Sequence, residues 1–193
     1  MERTHAVENE YICSLVEKVK EGDRAPFREI IRLYQKKVFV LAYSYFRNRE
    51  DAMDIVQETF LRLHEKINMF EKGKNFQSWL LQIAKNLCID YYRKNYSRRR
   101  ESESEKSVEE LNLASGNSAD SHHSLDLKTI FSACIQKLAE KQRMIFVMRH
   151  YNGLQYNEIA QTLNISVGTV KSLHFKAVQN LKSLVSPYLG IQK

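Results

Sequence analysis

Apolar side chains recur every three or four residues along most of this chain, and that spacing restricts it to helices. Phe27, Ile30, Ile31, Tyr34, Val38, Leu41, Ala42 and Tyr45 form one such stripe. Ala52, Ile55, Val56, Thr59, Phe60, Leu63 and Ile67 form a second, and Trp79, Leu80, Ile83, Ala84, Leu87 and Tyr91 a third. A shorter helix is expected around Tyr11–Val19. Pro26, just after Gly22-Asp23, stands where a helix can begin, and Gly73 marks a joint. With 6 Gly and 2 Pro in 193 residues, the chain lacks the turns an all-β protein needs. The longest apolar run, Val38 to Tyr43, is far short of the ~20 residues of a membrane span. No basic segment followed by an apolar core opens the chain, so no secretory signal is expected. Cys13, Cys88 and Cys134 are odd in number and far apart, which offers neither a disulfide framework nor a metal quartet. A reducing, cytoplasmic setting, with no metal and no cofactor, is the expectation.

The periodicity stops over residues 96–124. Ser, Glu and Asn dominate there, and large apolar residues are nearly absent. Such a segment cannot bury enough surface to offset its chain entropy and reads as a flexible linker. His122-His123 has no Cys or acidic partner at ligand spacing. Helical spacing resumes with Leu127, Ile130, Phe131, Cys134, Ile135 and Leu138, then Met144, Ile145, Val147, Met148 and Tyr151, up to Gly153. The expected fold is all-α, with helical domains at 7–95 and 125–187 joined by the linker. Nothing in the pattern dictates whether the two halves touch.

Charge separates the halves. The last 69 residues carry nine Lys/Arg against three Asp/Glu, within a chain of net charge +7. A basic C-terminal third fits a polyanionic partner. Residues 156–178 there read as a short helix, a tight turn and a longer helix. Ala160 is small enough for a close helix crossing, and Leu163 and Ile165 bracket the turn. Asn164 tolerates a left-handed backbone, Ser166 is placed to cap the second helix, and Val170 returns to the core. This is a helix-turn-helix, whose second helix enters the DNA major groove. Ser166, Val167, Gly168, Thr169, Lys171 and Ser172 would lie near that helix's start, with Lys176 further along for phosphate.

Two features mark the first half. Asp51, Asp54 and Glu58, with Gln57 beside them, fall at helical steps and share a face, either a solvated one or a dock for a basic partner. Residues 69–94 interleave aromatics with cations: Phe70, Lys72, Lys74, Asn75, Trp79, Lys85, Asn86, Tyr92, Arg93 and Lys94. Unpaired bases stack on aromatic faces while cations follow the phosphates. Trp79 fits core filling as well as base contact. No phosphate-binding glycine loop, His-Glu-x-x-His or nucleophile elbow is present, so an enzyme is not expected.

These residues resemble an extracytoplasmic-function (ECF) sigma factor, of the sigma-70 family of bacterial RNA polymerase subunits. Residues 51–60 resemble the core-binding helix of its region 2. Residues 76–86 and 90–94 resemble the part that melts the promoter and reads its −10 element. Residues 140–172 resemble region 4, which reads the −35 element. The resemblance implies docking of Asp51, Asp54, Gln57 and Glu58 on the β′ clamp helices, and contact of region 4 with the β flap. It implies a −10 base flipped into the 69–75 loop, and a non-template strand held by Lys85, Asn86, Tyr92, Arg93 and Lys94. Promoter DNA and an anti-sigma factor are the other partners implied. The chain departs from the family at Leu173, where Arg often follows Lys-Ser, and at Ala139, where Pro is common. The rival reading is a helix-turn-helix regulator that never joins polymerase, but such a protein would carry a receiver or ligand-binding domain in its first half.

Overall fold

The computed structural model describes residues 2–99 and 122–189, and among them every regular element is helical. The first half holds α1 (Glu2–Lys20), α2 (Ala25–Phe46), α3 (Arg49–Lys66), a 3-10 turn (Ile67–Met69) and α4 (Phe76–Arg99). The second holds α5 (His122–Gln136), α6 (Glu140–His150), α7 (Tyr156–Leu163), α8 (Val167–Val185) and a closing 3-10 turn (Ser186–Leu189). Both domains expected from the periodicity are present. The linker expected over 96–124 lies, between 100 and 121, outside the described residues. Its edges at 96–99 and 122–124 are helical, extending α4 and opening α5.

Local chemistry sets the boundaries. Pro26 occupies the first turn of α2, where its missing N–H costs nothing. Asn48 caps α3, its Oδ1 accepting from Glu50 N at 2.8 Å and Asp51 N at 3.1 Å. Asn164 ends α7 with φ 54° and ψ 51°. Ser166 starts α8, accepting from Thr169 N at 3.0 Å. Ala160, Ile159 and Val170 are buried, as the motif requires. Like Asn48, Arg47 is a cap the pattern did not foretell, left-handed at φ 57° with its N–H donated to Tyr43 O at 2.9 Å.

The two halves pack on each other. One continuous core contains Ile30, Tyr34, Phe76 and Leu80 of the first half together with Met144, Ile145, Met148 and Ile159 of the second. A second core is built from Cys134, Ile135, Leu138, Phe146, Val147, Ala177 and Leu181, and one buried residue from the first half, Val40, completes it. Arg143 crosses the seam at 3% exposure. Its Nε donates to Ser44 O, and its Nη1 to Leu138 O at 2.7 Å and Gln136 O at 3.1 Å. All three acceptors are main-chain carbonyls. Burial, with Arg47 nearby, pulls its pKa down to about 10. Gln77 bridges the same seam, accepting from Lys37 Nζ and donating to Asn152 O.

Candidate nucleic-acid interface

The helix-turn-helix presents its second helix to solvent. Ser166, Val167, Gly168, Thr169, Lys171, Ser172 and Lys176 are all exposed. The Ser166 hydroxyl is committed to its cap and to Thr169 Oγ1 at 2.8 Å. A methyl group at Gly168 would meet nothing closer than Ser166 Oγ at 3.7 Å, so packing within the protein does not require glycine there. Leu173, at the position of the missing Arg, turns inward and packs against the main core. Its neighbour His174 joins a cluster that sequence reasoning missed. His174 Nε2 lies 2.9 Å from His150 Nε2, and Tyr156 OH lies 3.1 Å from His174 Nδ1.

The aromatic and basic stretch forms a cavity of about 250 Å³ where the 3-10 turn, the following loop and α4 meet. Phe70 and Trp79, with centroids 5.2 Å apart, make its aromatic wall. Phe70 is buried against Phe76, while Trp79 is half-buried, so Trp79 belongs both to the core and to the cavity. Gln82 and Asn86, one turn apart on α4, bring amide groups to the rim, and Lys66 and Lys74 bring positive charge. Met69, 71% exposed, and Ile83 complete it with Glu71. Of these, Phe70, Lys74, Trp79 and Asn86 were expected from sequence. Met69 and Glu71 lie in the 69–75 loop that the resemblance implied would take the base, whereas Lys66, Gln82 and Ile83 were not singled out, because a cavity at a loop–helix junction has no period.

The remaining expected residues divide. Lys72 is exposed on the loop, away from the cavity lining. Lys85 is half-buried further along α4, and burial lowers its pKa. Tyr92, Arg93 and Lys94 are exposed about two turns or more beyond, Tyr92 meeting Tyr45 edge-on. Asn75 departs from expectation. Its Oδ1 accepts from Ser78 N at 2.8 Å, capping α4, and its Nδ2 donates to Glu158 of α7 at 2.6 Å. Both ends of this amide are occupied by the protein.

The acidic face on α3 also needs correction. Asp54 and Gln57 are exposed and Glu58 half-exposed, its carboxylate accepting from Arg62 Nε at 2.9 Å. Asp51 is buried and accepts from Tyr91 OH at 2.8 Å. It ties α3 to α4 and leaves the surface row to the other residues. Among the described residues no group of three His, Cys, Asp or Glu is placed to hold a metal ion. No described helix is long and apolar enough to cross a membrane.

Comparison with known proteins agrees with both halves of this layout. The sigma-70 region 2 model matches residues 30–98, and a sigma-70 region 4 model matches residues 128–181. An ECF RNA polymerase sigma factor, SigW of Bacillus subtilis, is 34% identical over 163 residues, which are 81% of this chain and 87% of that protein. The chain belongs to the ECF sigma factors. The ECF sigma-E factor of Escherichia coli K12 is 32% identical over 182 residues, 91% of this chain and 94% of its own. Such a protein is a transcription-initiation subunit of RNA polymerase, not an enzyme, and likeness across both halves disfavours the stand-alone regulator. The fold of this sigma factor is shared with a Bartonella quintana RpoE, solved in complex with the anti-sigma factor NepR. That likeness has a TM-score of 0.70 at 23% identity, covering 83% of this chain and 96% of that one. CnrH, solved with the cytosolic domain of CnrY, has a TM-score of 0.64 at 21% identity, covering 90% of this chain and 96% of its own.

Proposed function

We propose that this sigma factor docks on core RNA polymerase through Asp54, Gln57 and Glu58 of α3, facing the β′ clamp helices, and through region 4 on the β flap. The cavity beside Trp79 accepts one base flipped from the −10 element. Flipping costs a few kcal/mol, which stacking on the aromatic wall and hydrogen bonds to Gln82 and Asn86 offset. Tyr92, Arg93 and Lys94 continue the track for the non-template strand. Val167, Gly168, Thr169, Lys171 and Ser172 enter the major groove of the −35 element, with Lys176 on phosphate. An anti-sigma factor in the same cytoplasm is part of the proposal, supported by the solved neighbour captured with one.

The observation that carries this reading is the aromatic, amide-rimmed cavity in a chain that also exposes a recognition helix. The test is transcription in vitro by core polymerase on a genomic DNA library, with and without this protein. Protein-dependent starts sharing a two-part motif are the expected result, and Gln82→Ala should relax the preference at one −10 position. DNA binding without any new starts would return the chain to the regulator class.

A further inference from the structure

The cavity's loop is held from outside the region 2 match, which begins at residue 30. Residues 70–75 include Gly73, at φ 93°, and a single internal turn closed by Lys74 N donating to Glu71 O at 3.2 Å. The Lys74–Glu71 ion pair, 2.9 Å long with both side chains more than 60% exposed, adds little. Helix α1 fastens both ends of this loop. Lys20 Nζ donates to Phe70 O at 2.8 Å in a half-buried contact, at the residue whose ring forms part of the cavity wall. Asn9 grips the other end with both halves of its amide. Its Nδ2 donates to Lys74 O at 3.3 Å, and its Oδ1 accepts from Phe76 N at 3.1 Å, one of the amides the start of α4 leaves unpaired. Asn9 and Lys20 are three helical turns apart, which places them on one face about 16 Å from each other. A single rigid helix therefore sets the span of the loop.

We propose that Asn9 and Lys20 are positioning residues for −10 base recognition: α1 acts as a strap that fixes the distance between Phe70 and the start of α4, and with it the width of the base cavity. This rests on the reading of the cavity as a base site. Neither residue touches the base. Both act through the backbone that carries Phe70 and Lys74.

The test uses holoenzyme and the non-template strand of a promoter mapped by the transcription experiment, as four oligonucleotides differing at the flipped position. Asn9→Ala, Lys20→Met and the double variant are compared with wild type, with Gln82→Ala as the control inside the cavity. The strap predicts that the double variant loses about tenfold in discrimination between the preferred base and the others. Affinity for core polymerase and for a −35 duplex should be unchanged, and Lys20→Arg should restore what Lys20→Met loses. Full discrimination in the double variant, alongside reduced discrimination in Gln82→Ala, overturns the strap and leaves the cavity standing. Unaltered discrimination in Gln82→Ala removes the cavity reading and this inference with it. Equal loss of core affinity, −35 binding and discrimination would show a general folding defect and also overturn the strap.

Discussion

His150 and His174 illustrate how much a single side-chain pair contributes to region 4. Their rings stack with centroids 5.1 Å apart, and Phe146 packs against His150 at 4.4 Å. A hydrogen bond between two imidazoles needs one ring nitrogen without a proton, so double protonation breaks it. Burial lowers both pKa values, with Arg149 adding to the effect on His150, and His150 and Arg149 adding to that on His174. Tyr156, under the Arg149 guanidinium at 5.0 Å, is the facing group on α7. The unfolded histidines take up protons near 6.5 while the folded ones resist, so the unfolded state binds more protons below that pH. Stability is therefore full above about pH 6.5 and falls as the pH drops through the lowered folded values. The denaturant midpoint of the wild type should fall between pH 7.5 and pH 5.5, and His174→Gln should flatten that dependence. An equal slope in the variant would place the acid sensitivity elsewhere.

Helices were the legible level, and the reasons are local. Three- and four-residue spacing fixes which face of α2, α3 or α4 is buried, and Asn164 and Ser166 announce their turn through their own backbone chemistry. Asp51 was misread because periodicity reports that it shares a face with Asp54 and Glu58, but not that Tyr91, forty residues away, arrives on its side. Asn9 and Lys20 were invisible for the same reason: each acts on a loop some fifty or more positions on. Two predictions belong to single helices. On α3, Asp54→Lys puts a cation in the exposed row and should weaken core polymerase binding roughly tenfold; unchanged affinity in a fluorescence titration removes that face from the dock. On α8, Lys171→Ala should weaken promoter binding and reduce the slope of log affinity against log salt by about 1. A steady slope would mean that Lys171 does not touch phosphate.

At the scale of the whole molecule, the seam between region 2 and region 4 decides what the free protein can do. Glu158 holds the amide of Asn75, and α7 packs against α4, the helix that carries Trp79, Gln82 and Asn86 of the cavity. The seam also carries costs. Arg143 is buried against carbonyls alone, and Gln136 Oε1 and Asn152 Oδ1 are buried without a hydrogen-bond partner. Burying charge and unpaired polar groups offsets much of what the apolar contacts contribute. Val40 is the residue through which to open the seam, since its buried cluster partners all belong to region 4 and region 2 keeps its own core without it. Val40→Lys should separate the halves while each stays helical. The radius of gyration from X-ray scattering should then rise above the about 16 Å of a compact chain of this length. Binding to a −10 single strand should strengthen as Asn75 and the α4 face become free. Scattering identical to wild type would show that the closed form accommodates the introduced ammonium group, whereas separation without stronger binding would show that the seam does not restrain the DNA-facing side of region 2.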